Sequence, residues 1–142
     1  MTVIITGLWG KHVERFTGDF SESLRQHAPE IPVFLFIGGY HIPPCQAAKI
    51  FPMSTTNGWE AFMRRHADNP SAQGRPPAAR LKPKDRVSGY SFRFDAAKFA
   101  GQAFVPETAS EALPDGELMI WLDADVITLK DIPKGFFEGL VG

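Results

Sequence analysis

Two aspartates, Asp123 and Asp125, flank the small residue Ala124 at the end of the apolar run Leu118-Met119-Ile120-Trp121-Leu122. Five apolar residues running into an acid, a small residue and a second acid read as a buried strand that delivers two carboxylates to the edge of a sheet. Side chains alternate along a strand, so the two acids point the same way and Ala124 points to the opposite face. Like charges a few ångströms apart repel, and one takes up a proton unless a cation sits between them. A hard divalent ion such as Mn2+ or Mg2+ prefers carboxylate oxygens and shares them with substrate phosphates, so these residues suit a metal-diphosphate site. Most isolated acid-x-acid triplets are solvated turns. Position supports the stronger reading here, because ligands in open α/β sheets bind outside the carboxyl ends of the strands.

The elements that must hold such a site are legible as runs. Thr2 to Thr6 is β-branched and apolar, a buried first strand, and the loop Gly7-Leu8-Trp9-Gly10 follows at its carboxyl end. Glycines there let a ligand approach the backbone, and Trp9 offers a ring face to a base, unless it is only a core or rim aromatic. Val13, Phe16, Phe20 and Leu24 recur at three- and four-residue steps and predict a helix stopped by Ala28-Pro29. Val33 to Ile37 is a second strand, which makes a βαβ unit with parallel pairing. Tyr40 and His41 follow it on the same sheet edge. A short strand is expected around Ala48 to Phe51, then a short amphipathic helix with Trp59, Phe62, Met63 and His66.

Residues 68–89 interleave prolines and glycine with Arg75, Arg80, Lys82, Lys84 and Arg86, and predict a long exposed basic loop, either a solvated insertion or a lid over phosphates. Ser91 to Val105 predicts a helix with Phe92, Ala96, Phe99, Ala100, Ala103 and Phe104 on its apolar face and Asp95, Lys98 and Gln102 on the other. Arg93 falls in its first turn on the apolar side, where a guanidinium needs an anionic partner. Pro106 to Leu113 adds a helical turn, Pro114-Asp115-Gly116 a tight turn, Ile127 to Leu129 a brief strand, and Pro133 starts a last helix.

Composition bounds the reading. The 142 residues are 44% hydrophobic and 22% charged, enough for one domain, with a net charge of -1 that gives no global attraction to nucleic acid or anionic membrane. Cys45, the single cysteine, forms no internal disulfide and no zinc-ligand spacing, and reads as structural in a reducing compartment. The N-terminus has no signal-like h-region and no apolar run is long enough for a transmembrane segment. The expectation is a soluble, cytoplasmic, single-domain protein.

Tyr90-Ser91-Phe92-Arg93-Phe94-Asp95-Ala96-Ala97-Lys98-Phe99 followed by Met119-Ile120-Trp121-Leu122-Asp123-Ala124-Asp125-Val126 resembles the nucleotide-sugar half of GT-A fold glycosyltransferases, closest to bacterial members related to the glycogenin-like, family-eight enzymes. The resemblance runs from the first strand to Pro133 and implies an α/β, Rossmann-like, mostly parallel central sheet flanked by helices and truncated after the strand carrying this DxD motif. It implies that Asp123 and Asp125 bind Mn2+ or Mg2+ bridging a sugar-nucleotide diphosphate, with a UDP-sugar foremost among the donors. Ala124 would then lie near the ribose, Thr6, Gly7, Leu8 and Trp9 would hold the base, and Arg93, Asp95 and Lys98 would contact sugar or phosphate. The implied activity is a hexosyltransferase-like transfer to an unknown acceptor. GT-A enzymes are longer, and the half beyond the acid pair carries a further metal ligand, commonly His. Here 17 residues follow Asp125 and none is His, so the expectation is a donor-binding part whose exposed apolar surface favours self-association as a homo-oligomer. Two alternatives stay open: a haloacid-dehalogenase-like phosphotransferase with Asp123 as nucleophile, and a non-catalytic sugar-nucleotide binder.

Overall fold

The β-branched, apolar opening of the chain forms β1 (Thr2–Trp9), and the sheet is built outward from it. The computed structural model describes residues 1–10, 12–39 and 49–141. Within them β2 (Val33–Gly38) lies parallel to β1 on one flank and β3 (Lys49–Pro52) parallel beyond β2. β4 (Leu118–Trp121) runs parallel to β1 on its other flank, so the order is β3-β2-β1-β4. Ile5 is registered between Phe34 on one side and Trp121 on the other. The fold is therefore α/β, with an all-parallel sheet flanked by helices.

Strand alternation divides the core in two. Ile4 and Leu8 of β1 join Val33, Leu35 and Ile37 of β2 beneath α1 (His12–His27), which contributes Val13, Phe20 and Leu24. Val3 and Ile5 join Phe34 and Phe36 on the opposite face, under Val105 and Ala109 of α3 (Ala96–Glu111). Each such side chain fully removed from water stabilises the fold by about 1.5–3 kcal/mol before entropy is counted. On the α3 side of the sheet, α2 (Trp59–Arg65) packs against α3 through Phe62 and Phe104, with ring centroids 5.6 Å apart. The chain ends in α4 (Phe136–Val141).

Several elements differ from the sequence expectation for identifiable reasons. Gly7, Leu8 and Trp9 continue β1 instead of looping out, because each is registered against β2 and Leu8 is buried in the α1-side core. The turn comes only at Gly10, whose φ of 60° suits glycine. The helix expected from Ser91 is preceded by a 3-10 turn, Phe92–Phe94, and α3 begins behind Asp95, whose carboxylate accepts from the Lys98 N–H at 2.8 Å. Its buried stripe is Ala100, Gly101, Val105 and Ala109, whereas Phe92 and Phe99 are exposed. Arg93 accordingly lies outside α3, exposed, and needs no buried partner. Pro106 does not divide the helix: packing of Val105 and Ala109 on β1 outweighs the roughly 3 kcal/mol that an interior proline costs. Ile127 to Leu129 forms no strand, and the last helix starts three residues after Pro133.

Residues 68–89 are more ordered than a solvated loop. Three short 3-10 turns, Pro70–Gln73, Ala78–Arg80 and Pro83–Asp85, succeed one another, and Leu81 is buried. The Asn69 side chain caps the first by accepting from the Ser71 and Ala72 N–H groups. Tyr40, His41, Cys45 and Ala48 lie outside the described residues.

Candidate functional site

β1 hands the chain through α1 to β2 on one flank, while β4 arrives on the other flank of β1. The carboxyl ends of β1 and β4 thus flank the point where the sheet's winding reverses, where open α/β sheets leave a crevice for ligands. A cleft of about 270 Å3 opens there, between the Gly7-Leu8-Trp9 end of β1, the start of α1, the first two turns of α3, and Trp121 to Asp125. A larger hollow of about 550 Å3 lies at the other end of the sheet, by Met1, Thr2 and residues 131–138. The smaller one holds the acid pair.

The strand proper ends at Trp121, and Asp123 to Val126 form a turn closed by the Val126 N–H donating to the Asp123 carbonyl at 3.0 Å. Ala124 is buried against the α1-side core, whereas Asp123 and Asp125 are exposed and line the cleft. The expected alternation of the triplet survives, carried by a turn. Asp123 is held through one oxygen: Trp121 Nε1 donates to Oδ1 at 2.8 Å and Gln102 Nε2 donates to the same atom at 3.0 Å. Neither donor is charged, so its negative charge is oriented and not neutralised. Asp125 has no hydrogen-bond or ion-pair partner among the described residues. Those residues gather no group of three or more metal-ligating side chains, so an ion here would draw its remaining ligands from elsewhere.

The walls are aromatic. Trp9 lies against α3 where Gly101 has no side chain: a Cβ on Gly101 would sit 2.2 and 2.5 Å from the Trp9 ring. Trp59 meets the same indole edge-on, at 6.4 Å between centroids. Trp9 is at once part of the α3-side core and part of the cleft. From α1, His12 and Phe16 stack at 5.8 Å with their planes 9° apart, and the Arg15 guanidinium lies 4.9 Å from the Phe16 ring centre. From α3 come Lys98, Phe99 and Gln102, with the Lys98 ammonium 5.5 Å from the Phe99 ring centre.

Of the residues expected from sequence, Gly7, Leu8, Trp9, Lys98, Asp123, Ala124 and Asp125 come together at this cleft. Thr6, Arg93 and Asp95 are not among its lining. Thr6 is fully buried below it, its hydroxyl without a partner among the described residues. Asp95 caps α3 and accepts from the Tyr90 hydroxyl at 2.9 Å. Burial, and then the adjacent Asp95 carboxylate, push the Tyr90 phenol above its ordinary pKa. Sequence reasoning missed His12, Phe16, Phe99, Gln102 and Trp121. Gln102 was recoverable, since it stands four residues after Lys98 on the same helical face. No family model, no curated protein and no solved structure matches the chain.

Proposed function

We propose that this cleft binds the nucleoside diphosphate of a sugar donor together with a divalent metal, and that the chain is the donor-binding part of a metal-dependent, GT-A-like glycosyltransferase. The observation that carries the reading is the pair Asp123 and Asp125 at the reversal of the sheet, one carboxylate held by neutral donors and the other unpaired among the described residues, beside an aromatic cleft. Mn2+ and Mg2+ are held by one or two carboxylates plus substrate phosphates, and this donor set fits. Bound there, the ion would supply Lewis-acid charge to the departing diphosphate.

The chain's own groups have separable tasks. Trp121 and Gln102 fix Asp123 through Oδ1 and leave Oδ2 as its donor atom. Lys98 adds positive charge for the phosphates. Trp9, Phe16 and Phe99 provide ring faces and edges for a base. A volume of about 270 Å3 falls just below the usual span for small-molecule sites and suits the nucleoside part of a donor better than the whole sugar nucleotide.

Calorimetric titration with nucleoside diphosphates, with and without Mn2+, tests this. Affinity should rise with the metal, and Asp125→Ala should weaken the metal-dependent part by roughly a hundredfold, about 2.7 kcal/mol. Binding that Asp125→Ala leaves untouched, or no binding of any nucleoside diphosphate, would sink the assignment.

A further inference from the structure

Between Arg75 and Arg93 stand six bases, Arg75, Arg80, Lys82, Lys84, Arg86 and Arg93, against one acid, Asp85, a local charge of +5. The whole chain carries -1, so all remaining residues together carry -6. This separation makes residues 75–93 a strongly basic stretch in a chain whose remaining residues are net acidic. All six bases are exposed. None is in an ion pair among the described residues, and their one side-chain hydrogen bond there is from Arg86 Nε to the Leu81 carbonyl.

Two apolar side chains stand among these charges. Val87 is 97% exposed and Phe92 56% exposed, next to Arg86 and Arg93 respectively. The backbone beneath them is anchored, by buried Leu81, by the Ser91 N–H donating to the Gly74 carbonyl at 2.7 Å, and by Tyr90 lying where a Cβ on Gly74 would fall. The segment then runs directly into α3, whose Lys98 and Phe99 line the cleft.

We propose that residues 75–93 dock the protein onto an anionic lipid surface. Unpaired bases supply long-range attraction to negatively charged headgroups, and protruding Val87 and Phe92 enter the interface below them. A nucleic acid accounts for the charge but gives Val87 no role, and one exposed ring is a poor stacking platform. Docking requires no membrane-spanning helix, and no helix among the described residues is long and apolar enough to be one.

The test is co-sedimentation of the intact chain with vesicles of phosphatidylcholine alone or mixed with phosphatidylglycerol, across a salt series. Binding should require the anionic lipid and weaken as salt rises. Arg80→Gln/Lys82→Gln/Lys84→Gln should lower the partition coefficient by about a hundredfold, and Val87→Ser/Phe92→Ser several-fold with a smaller salt dependence in the loss. These side chains are exposed, so circular dichroism should not change. Equal binding to neutral vesicles, unchanged partition of the triple variant, or tighter binding to a single-stranded oligonucleotide than to anionic vesicles would overturn the proposal. The inference is independent of the donor site. Nucleoside diphosphate affinity should be the same in the triple variant as in the wild type, and its loss would instead make the segment a lid over phosphates.

Discussion

The two ends of the sheet differ. At the amino ends of the strands a hollow of about 550 Å3 is bordered by several polar groups that have found partners, although Glu30 and Lys134 on its wall have none among the described residues. The N-terminal ammonium pairs with Glu117, the Thr2 hydroxyl donates to Glu138, and His27 Nδ1 lies 2.8 Å from an Asp131 oxygen. At the carboxyl ends a cleft half that size holds Asp125, without a partner among the described residues, Asp123 held there by neutral donors, and Lys98 in contact with a ring. Room alone does not identify a site. Polar groups that the fold orients and leaves unneutralised do, because their electrostatic energy is available to a ligand.

The largest expected effect comes from closing the gap that seats Trp9. In Gly101→Ala the new methyl carbon falls within 2.2 Å of the indole, so Trp9 must move, and the crowded core should lose about 1–3 kcal/mol. Urea unfolding should read this, together with a shift in tryptophan emission and weakened nucleoside diphosphate binding. If affinity survives a displaced Trp9, the ring belongs to the core only. Relaxed packing with wild-type stability would break the comparison at its better-defined end.

Next in size is the orientation of Asp123. Gln102→Leu removes one of its two donors at similar volume, and Trp121→Phe removes the other together with part of the ring. Each should weaken metal-dependent binding by roughly tenfold, since groups that orient a metal ligand matter at the level of 10–100-fold. Metal-independent binding of the nucleoside should change little. An equal loss with and without Mn2+ would mean that these residues shape the cleft without acting through the carboxylate.

The parts of this architecture that sequence revealed are those governed by local composition. β1, β2 and β4 stand out as unbroken apolar runs and α1 by its helical period, and the acid triplet ends β4's run. What escaped is decided by distant packing. Gly7 and Gly10 look alike in sequence, yet only pairing with β2 keeps Gly7 in the strand. Phe99 reads as core by its helical position, but Trp9 fills the space over Gly101 and Phe99 is left at the cleft. His12 and Phe16 reach the site only because α1 starts immediately beyond the end of β1. Lys98 and Gln102 were half legible, as a polar face whose direction only the tertiary fold assigns.

A smaller effect sharpens the contrast from the amino end. His27→Ala breaks a pair in which Asp131 is largely exposed, so it should cost at most about 1 kcal/mol. It should leave nucleoside diphosphate affinity unchanged. A loss of affinity comparable to Gln102→Leu would make the larger hollow a second functional site and dissolve the distinction between the two ends.

The smallest effect concerns pH at the start of α3, the helix that carries Lys98 and Gln102. Tyr90 has its pKa raised above 10, first by burial and then by the Asp95 carboxylate to which it donates. A phenol with a higher pKa folded than unfolded keeps its proton longer in the native state. Its stabilising contribution is therefore complete below the unfolded value near 10 and is lost as pH rises through the raised folded value. In a Tyr40→Phe background Tyr90 is the one remaining phenol, and its absorbance titration should be centred above the ordinary value. Urea midpoints should fall more steeply through the alkaline range than in Tyr40→Phe/Tyr90→Phe, since the lysines titrate equally in both. Asp95→Asn retains a good helix cap while removing the charge. It should move the phenol only part of the way back, because burial, the largest single cause, is untouched. A complete return would show that the carboxylate, and not the packing against Gly74, holds Tyr90 at the head of the helix.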